Sequence, residues 1–136
     1  MKLLFFSNTL DGGGAERVLA NLTNELSRLG HDITIALNIN KIAYDLSDDI
    51  KVIHAPQYYL YKEQNILKRI YRSIIQKNNL HKFTKHVIDD IKPDIIITFL
   101  RCNMIPIIKY HKNTTIISSE HNAYDRNIGF LKKIED

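Results

Sequence analysis

Five short apolar runs punctuate this 136-residue chain: "KLLFFS" (2–7), "HDITIALNI" (31–39), "IKVIHAP" (50–56), "DIIITFL" (94–100) and "TTIISSE" (114–120). Most of the intervening stretches carry helical periodicity. That alternation is the strongest constraint on the fold. A short continuous apolar run reads as a strand covered on both faces, and strands separated by helices pair in parallel. The expected class is α/β, an open, mostly parallel Rossmann-like sheet with helices on both faces. Right-handed crossovers then collect the carboxyl ends of the strands on one edge, where such sheets bind ligands. Residues 8–14, 100–103 and 118–122 are predicted to line that edge.

The helices follow from spacing. "AERVLANLTNELSRLG" sets Val18, Leu19, Leu22, Leu26 and Leu29 at helical intervals, with Glu16 in the first turn and Gly30 as the stop signal. "NILKRIYRSIIQK" (65–77) places Ile66, Leu67, Ile70, Tyr71 and Ile74 on one arc, with Lys68, Arg69 and Arg72 on the opposite one. "NNL" (78–80) predicts a break before a second helix, "HKFTKHVIDDI", which "KPD" ends. A short helical stretch around 102–111 is expected to be interrupted by Pro106.

Bulk properties remove several classes. No run approaches the ~18 apolar residues of a membrane span. The start "MKLLFFSNTL" imitates a signal peptide, but its apolar core is four residues long and no small-residue cleavage site follows, so it reads as the first strand. The single Cys102 excludes an internal disulfide framework, suits a reducing cytosol and reads as a buried structural thiol. The net charge is +4, yet residues 62–86 hold seven Lys or Arg against Glu63 alone, so the remainder sums to −2. A local basic patch of this kind addresses an anionic partner or forms a solvated helix face. Nucleic acid is disfavoured, because Tyr58, Tyr59 and Tyr61 are not interleaved with the cations.

The "GGG" at 12–14 sits where the first strand meets its helix. Backbone N–H groups and the positive end of a helix favour an anion there, and Cβ atoms would hold a phosphate away. The alternative is a tight turn, for which one glycine suffices. The dinucleotide fingerprint fails, because Arg17 takes the place of its third glycine and Asn38 that of its ribose-binding acid. No Walker Lys-Ser/Thr pair follows the glycines, and no metal-ligand spacing occurs; His81 and His86 do not share a helix face.

Taken together, "TLDGGGAERVLANLTNELSRLGHDITIAL", "KPDIIITFLRCNM" and "IISSEHNAY" resemble the amino-terminal half of glycosyltransferase family 4 enzymes of the two-domain GT-B fold. The likeness is strongest for the branch that builds bacterial polysaccharides and lipid-linked oligosaccharides. The resemblance implies that residues 1–136 form one acceptor-binding domain, and that the donor-binding domain with its E-x7-E pair is absent. It implies a retaining transferase that uses a nucleotide-sugar donor and a glycan or polyprenyl-diphosphate-linked acceptor, with no metal and no other cofactor. Gly12, Gly13, Gly14 and Glu16 would then face the cleft near the donor diphosphate and the acceptor. His121, in "SEH", would act on the acceptor hydroxyl, and Glu120 would orient it, bind the acceptor sugar or merely lie on the surface. Lys68, Arg69 and Arg72 would hold a lipid diphosphate while the apolar stripe meets the cytoplasmic face of the membrane; packing of that stripe in the core is the alternative. Alone the domain is expected to be inactive; the resemblance leaves open an isolated amino-terminal domain, a truncated reading frame, or one half of a split enzyme whose partner chain supplies the donor site. Two other classes stay open: a non-catalytic membrane-anchoring scaffold that recruits a catalytic chain, and a flavodoxin-like phosphate-binding regulatory domain.

Overall fold

The computed structural model describes residues 1–56, 65–99 and 102–120. Five strands, β1 (Lys2–Ser7), β2 (Asp32–Leu37), β3 (Lys51–His54), β4 (Ile95–Phe99) and β5 (Thr115–Ser119), form one sheet in the order β3-β2-β1-β4-β5. Every pairing among them is parallel, so the sheet is more uniform than "mostly parallel". The central β1 sits between β2 and β4, with Phe5 opposite Ile35 on one side and Ile97 on the other.

Burial on both faces explains why these runs lack polar alternation. Leu3, Phe5, Ile33, Ile35, Leu37, Ile97 and Phe99 face one core, which α1 (Gly14–Arg28) closes with Leu19. Leu4, Phe6, Ala36 and Ile96 face the other, closed by Val87 and Ile88 of α2 (Ile66–Ile91) and Ile107 of α3 (Met104–Tyr110). Phe5 and Phe6 are wholly buried, each contributing about 1.5–3 kcal/mol by removal from water.

Three local expectations change. On α1 the buried residues are Leu19, Ala20 and Thr23, while Val18, Leu22 and Leu29 are exposed. The helix lies on the sheet along a line that includes a threonine, because the Thr23 hydroxyl donates to the Leu19 and Ala20 carbonyls and is satisfied without water. At "NNL" no break occurs: α2 is one helix of 26 residues. Asn78 and Asn79 are on or near its surface, where the intrinsic cost of asparagine in a helix is only about 0.7 kcal/mol each. Its real start signal is Asn65, whose side chain accepts from the Leu67 and Lys68 N–H groups. Pro106 does not interrupt α3, since it lies in the first turn where its missing N–H has no partner to lose.

Candidate functional site

The carboxyl edge of the sheet is built around the β1–α1 connection. Leu10 is buried and pairs in parallel with Ile42, its N–H bonding the Lys41 carbonyl and its carbonyl receiving the Ala43 N–H. Tyr44 donates its hydroxyl to the Gly13 carbonyl at 2.8 Å, and Lys41 bridges Asp11 at 3.1 Å. The loop that follows β2 therefore pins the glycine elbow in place.

The three glycines turn out to serve different ends. Gly12 has φ +85°, a left-handed conformation that a Cβ strains. Gly13 is the N-cap of α1, and the Glu16 carboxylate lies where its Cβ would stand. At Gly14 the surrounding space is open and the backbone is ordinary, so folding does not demand a glycine there. No side chain caps α1, and its first helical bond is from the Arg17 N–H to the Gly13 carbonyl. The first-turn N–H groups thus lack an intrahelical or capping acceptor, and the end of the helix favours negative charge.

A second cluster at this edge escaped sequence reading. Asn38, just after β2, and Asn103, after β4, exchange amide hydrogen bonds of 2.9 Å in both directions. Asn103 also donates to Thr84 of α2 at 3.3 Å, and Asn38 donates to the Cys102 sulfur at 3.2 Å. This knot ties two strand ends to α2, and Asn103 adopts φ 54° to enter it. The available signal is Asn38 near the end of the predicted second strand and Asn103 in the 100–103 stretch predicted to line the edge; what spacing does not reveal is that the two pair. Burial pushes the Cys102 thiol up to about 12, partly offset by the Asn38 amide, so it is a structural group rather than a nucleophile.

Gly12, Gly13, Gly14, Glu16 and Glu120 all lie at this edge, with Glu120 following β5, two strands from β1. Strand spacing of about 4.8 Å puts β5 about 10 Å from β1. His121 lies outside the described residues, as do Leu100, Arg101, Asn122 and the tyrosines at 58, 59 and 61. The basic residues are elsewhere. Thr84 marks the level of the edge through its bond to Asn103, and Lys68 is sixteen residues nearer the amino end of α2, about 24 Å along the axis at 1.5 Å per residue. Lys68, Arg69 and Arg72 do not converge on the glycine elbow.

The apolar stripe beside them does not enter the core formed by the described residues. Ile66, Leu67, Ile70, Tyr71 and Ile74 are each more than half exposed. Below them α2 is anchored. Asp89 accepts from Lys112 and Lys85, which hold its carboxyl down at about 2, and His86 faces Asp90 at 3.1 Å. Among the described residues no three metal-ligating side chains converge, and no helix is long and apolar enough to cross a membrane.

A parallel sheet in the order 3-2-1-4-5, with a glycine elbow at its switch point, defines the class of α/β domain that holds ligands at the carboxyl edge. Residues 12–135 match the family described as Glycosyltransferase Family 4, and the chain belongs to that family. It is 28% identical over 124 residues to the Campylobacter jejuni enzyme named GalNAc-alpha-(1->4)-GalNAc-alpha-(1->3)-diNAcBac-PP-undecaprenol alpha-1,4-N-acetyl-D-galactosaminyltransferase. That match takes in 90% of this chain, which spans 33% of the relative's length. Among solved structures, the calicheamicin glycosyltransferase superposes with a TM-score of 0.53 at 14% identity, over 98% of this chain and 36% of that one, a likeness of fold.

Proposed function

We propose that this chain is the acceptor-side half of a retaining GT-B glycosyltransferase that moves a sugar from a nucleotide-sugar to a polyprenyl-diphosphate-linked glycan at the cytoplasmic face of a membrane. The observation that carries this reading is the open glycine elbow at the carboxyl edge of a Family 4 domain. Gly14 in particular has no structural need to be glycine, and a ligand's close approach supplies one. The first-turn N–H groups of α1 would receive the donor diphosphate, while the Glu16 carboxylate, standing where a Cβ at Gly13 would be, keeps that position a glycine. His121, which follows Glu120 after β5, would take or share the proton of the acceptor hydroxyl. As the new bond to the anomeric carbon forms, the bond to the diphosphate oxygen breaks, and the nucleoside diphosphate leaves with the electron pair. The reading calls for no metal.

Exposure of the α2 stripe supports the membrane part. A helix with apolar residues along one side and Lys68, Arg69 and Arg72 along another suits an anionic surface, each cation adding ~1 kcal/mol. A lipid diphosphate held by those cations would lie about 24 Å from the edge, a span of several sugar units. The donor's sugar and base would be bound by a second domain or chain, without which the site stays wet and the domain inactive.

The test is sugar transfer by this chain combined with a candidate donor-binding partner, on membranes that hold a polyprenyl-diphosphate glycan. His121→Ala is expected to lower the rate at least about a hundredfold, and Gly14→Ala about tenfold or more with no loss of thermal stability. Full activity in His121→Ala, together with loss in a triple Lys68, Arg69, Arg72 variant, would instead support the scaffold reading, which the exposed α2 also fits.

A further inference from the structure

We infer that this chain meets an anionic lipid bilayer through two elements: besides the upper part of α2, α3 enters it with Ile105 and Ile108. The inference rests on the membrane reading above and extends it to a helix that reading leaves out.

α3 has seven residues, and its apolar side chains divide sharply. Pro106 and Ile107 are buried, whereas Ile105 is 75% and Ile108 57% exposed. Two large aliphatic groups on so short a helix therefore face away from the core. Their position relative to the α2 stripe follows from helix geometry. Eighteen residues make five turns at 3.6 residues per turn, so Leu67 stands directly above Lys85, and Tyr71 above Asp89. Asp89 ties this flank to the end of α3: it accepts from Lys112, on the turn after α3, and from Lys85 of its own helix. His81, on the same side, meets the Tyr110 ring edge-on at 6.3 Å. The flank of α2 that carries Leu67 and Tyr71 is thus the flank against which α3 packs, and in the inferred arrangement the exposed isoleucines of α3 lie on that same side.

Charge selects the occupant. Lys77, Lys82 and Lys85 extend the basic run of α2, and Lys109 and Lys112 follow Ile108 in sequence. Against these lysines stand Asp89, which pairs with Lys85 and Lys112, and Asp90, which faces His86, so lysines remain in excess. A predominantly basic flank with aliphatic side chains between its cations is complementary to an anionic bilayer surface, which takes the apolar groups into its interface and the cations among its headgroups. Contact at two elements would also fix the roll of α2 about its own axis, which a single amphipathic helix leaves free.

The 136-residue chain has no tryptophan, so Ile105→Trp introduces a lone fluorophore. Its emission is expected to shift to the blue on addition of phosphatidylglycerol–phosphatidylethanolamine vesicles and to stay fixed with phosphatidylcholine vesicles. Ile117→Trp, on the opposite face of the sheet, is expected not to respond. In co-sedimentation with the anionic vesicles, an Ile105→Ser/Ile108→Ser variant should bind about tenfold or more weakly than wild type, as should Ile70→Ser/Ile74→Ser. If the α2 variant loses binding while the α3 variant retains it and the Ile105→Trp emission stays put, the two-element inference is overturned and the α2 membrane reading survives. Failure of the wild-type chain to sediment with anionic vesicles overturns both.

Discussion

Asp89 accepts hydrogen bonds from two ammonium groups, Lys112 on the turn after α3 and Lys85 one turn earlier on its own helix. Those partners, the Lys112 bond foremost, lower its pKa from 3.8 to about 2. A carboxyl whose pKa is depressed by folding stabilises the native state above its unfolded value, and that contribution fades as pH falls. For Asp89 the contribution is complete above pH 3.8 and disappears on acidification toward pH 2. In Asp89→Asn, urea midpoints measured across this window should lose that part of the acid slope while the remaining carboxylates keep theirs; an unchanged slope would show that the bridge is not formed in solution. Residue-level chemistry was only partly legible in the sequence. The acid and both lysines were visible, but nothing in the spacing of Asp89 and Lys112 announces a contact across a strand and a helix. The Asn38–Asn103 pair was hidden for the same reason, since its members lie 65 positions apart.

At the scale of elements, the sequence was most informative where one period dominates. All five strands were predicted to within about two residues at each end, because runs such as "IIITF" have no polar face to confuse the period. Helical segments were read less well. The α1 stripe pointed to Val18 and Leu22, but a satisfied Thr23 lets the helix settle on another line. In α2 the two asparagines suggested a stop, yet a surface asparagine costs too little to end a helix held at one end by Asn65 and at the other by Val87 and Ile88. The outcome is a helix whose two halves differ in support. Residues 84–91 pack on the sheet, while 66–74 are exposed on every side. Local opening follows burial, so amide exchange at 67–76 should run at least about tenfold faster than at 86–91 and slow when anionic vesicles are added. Uniform protection along α2 in vesicle-free solution would mean that its upper half is packed after all.

On the scale of the whole molecule, the sheet joins pairings of very different range. Register partners on β1 and β2, such as Lys2 and Asp32, are 30 residues apart, whereas the Lys2 N–H reaches Asp94 across 92. Closing the longer loop costs about 1 kcal/mol more in chain entropy, and local pairings tend to precede distant ones. Folding is therefore expected to begin with β1, α1 and β2. Ile35→Val in β2 should mainly slow refolding, while Ile96→Val in β4 should mainly speed unfolding, each for a loss of about 0.5–1.5 kcal/mol; stopped-flow chevrons would reveal the reverse if β4 docks first.

The junction of β1 with β4 is also where the order of the sheet reverses and where the glycine elbow opens. A chain still on its way to the native state would own a finished elbow facing no second wall. The most distant pairing in the sheet is thus what gives the elbow its neighbouring strand, and the ligand binding proposed for it should arrive last in folding and leave first on unfolding.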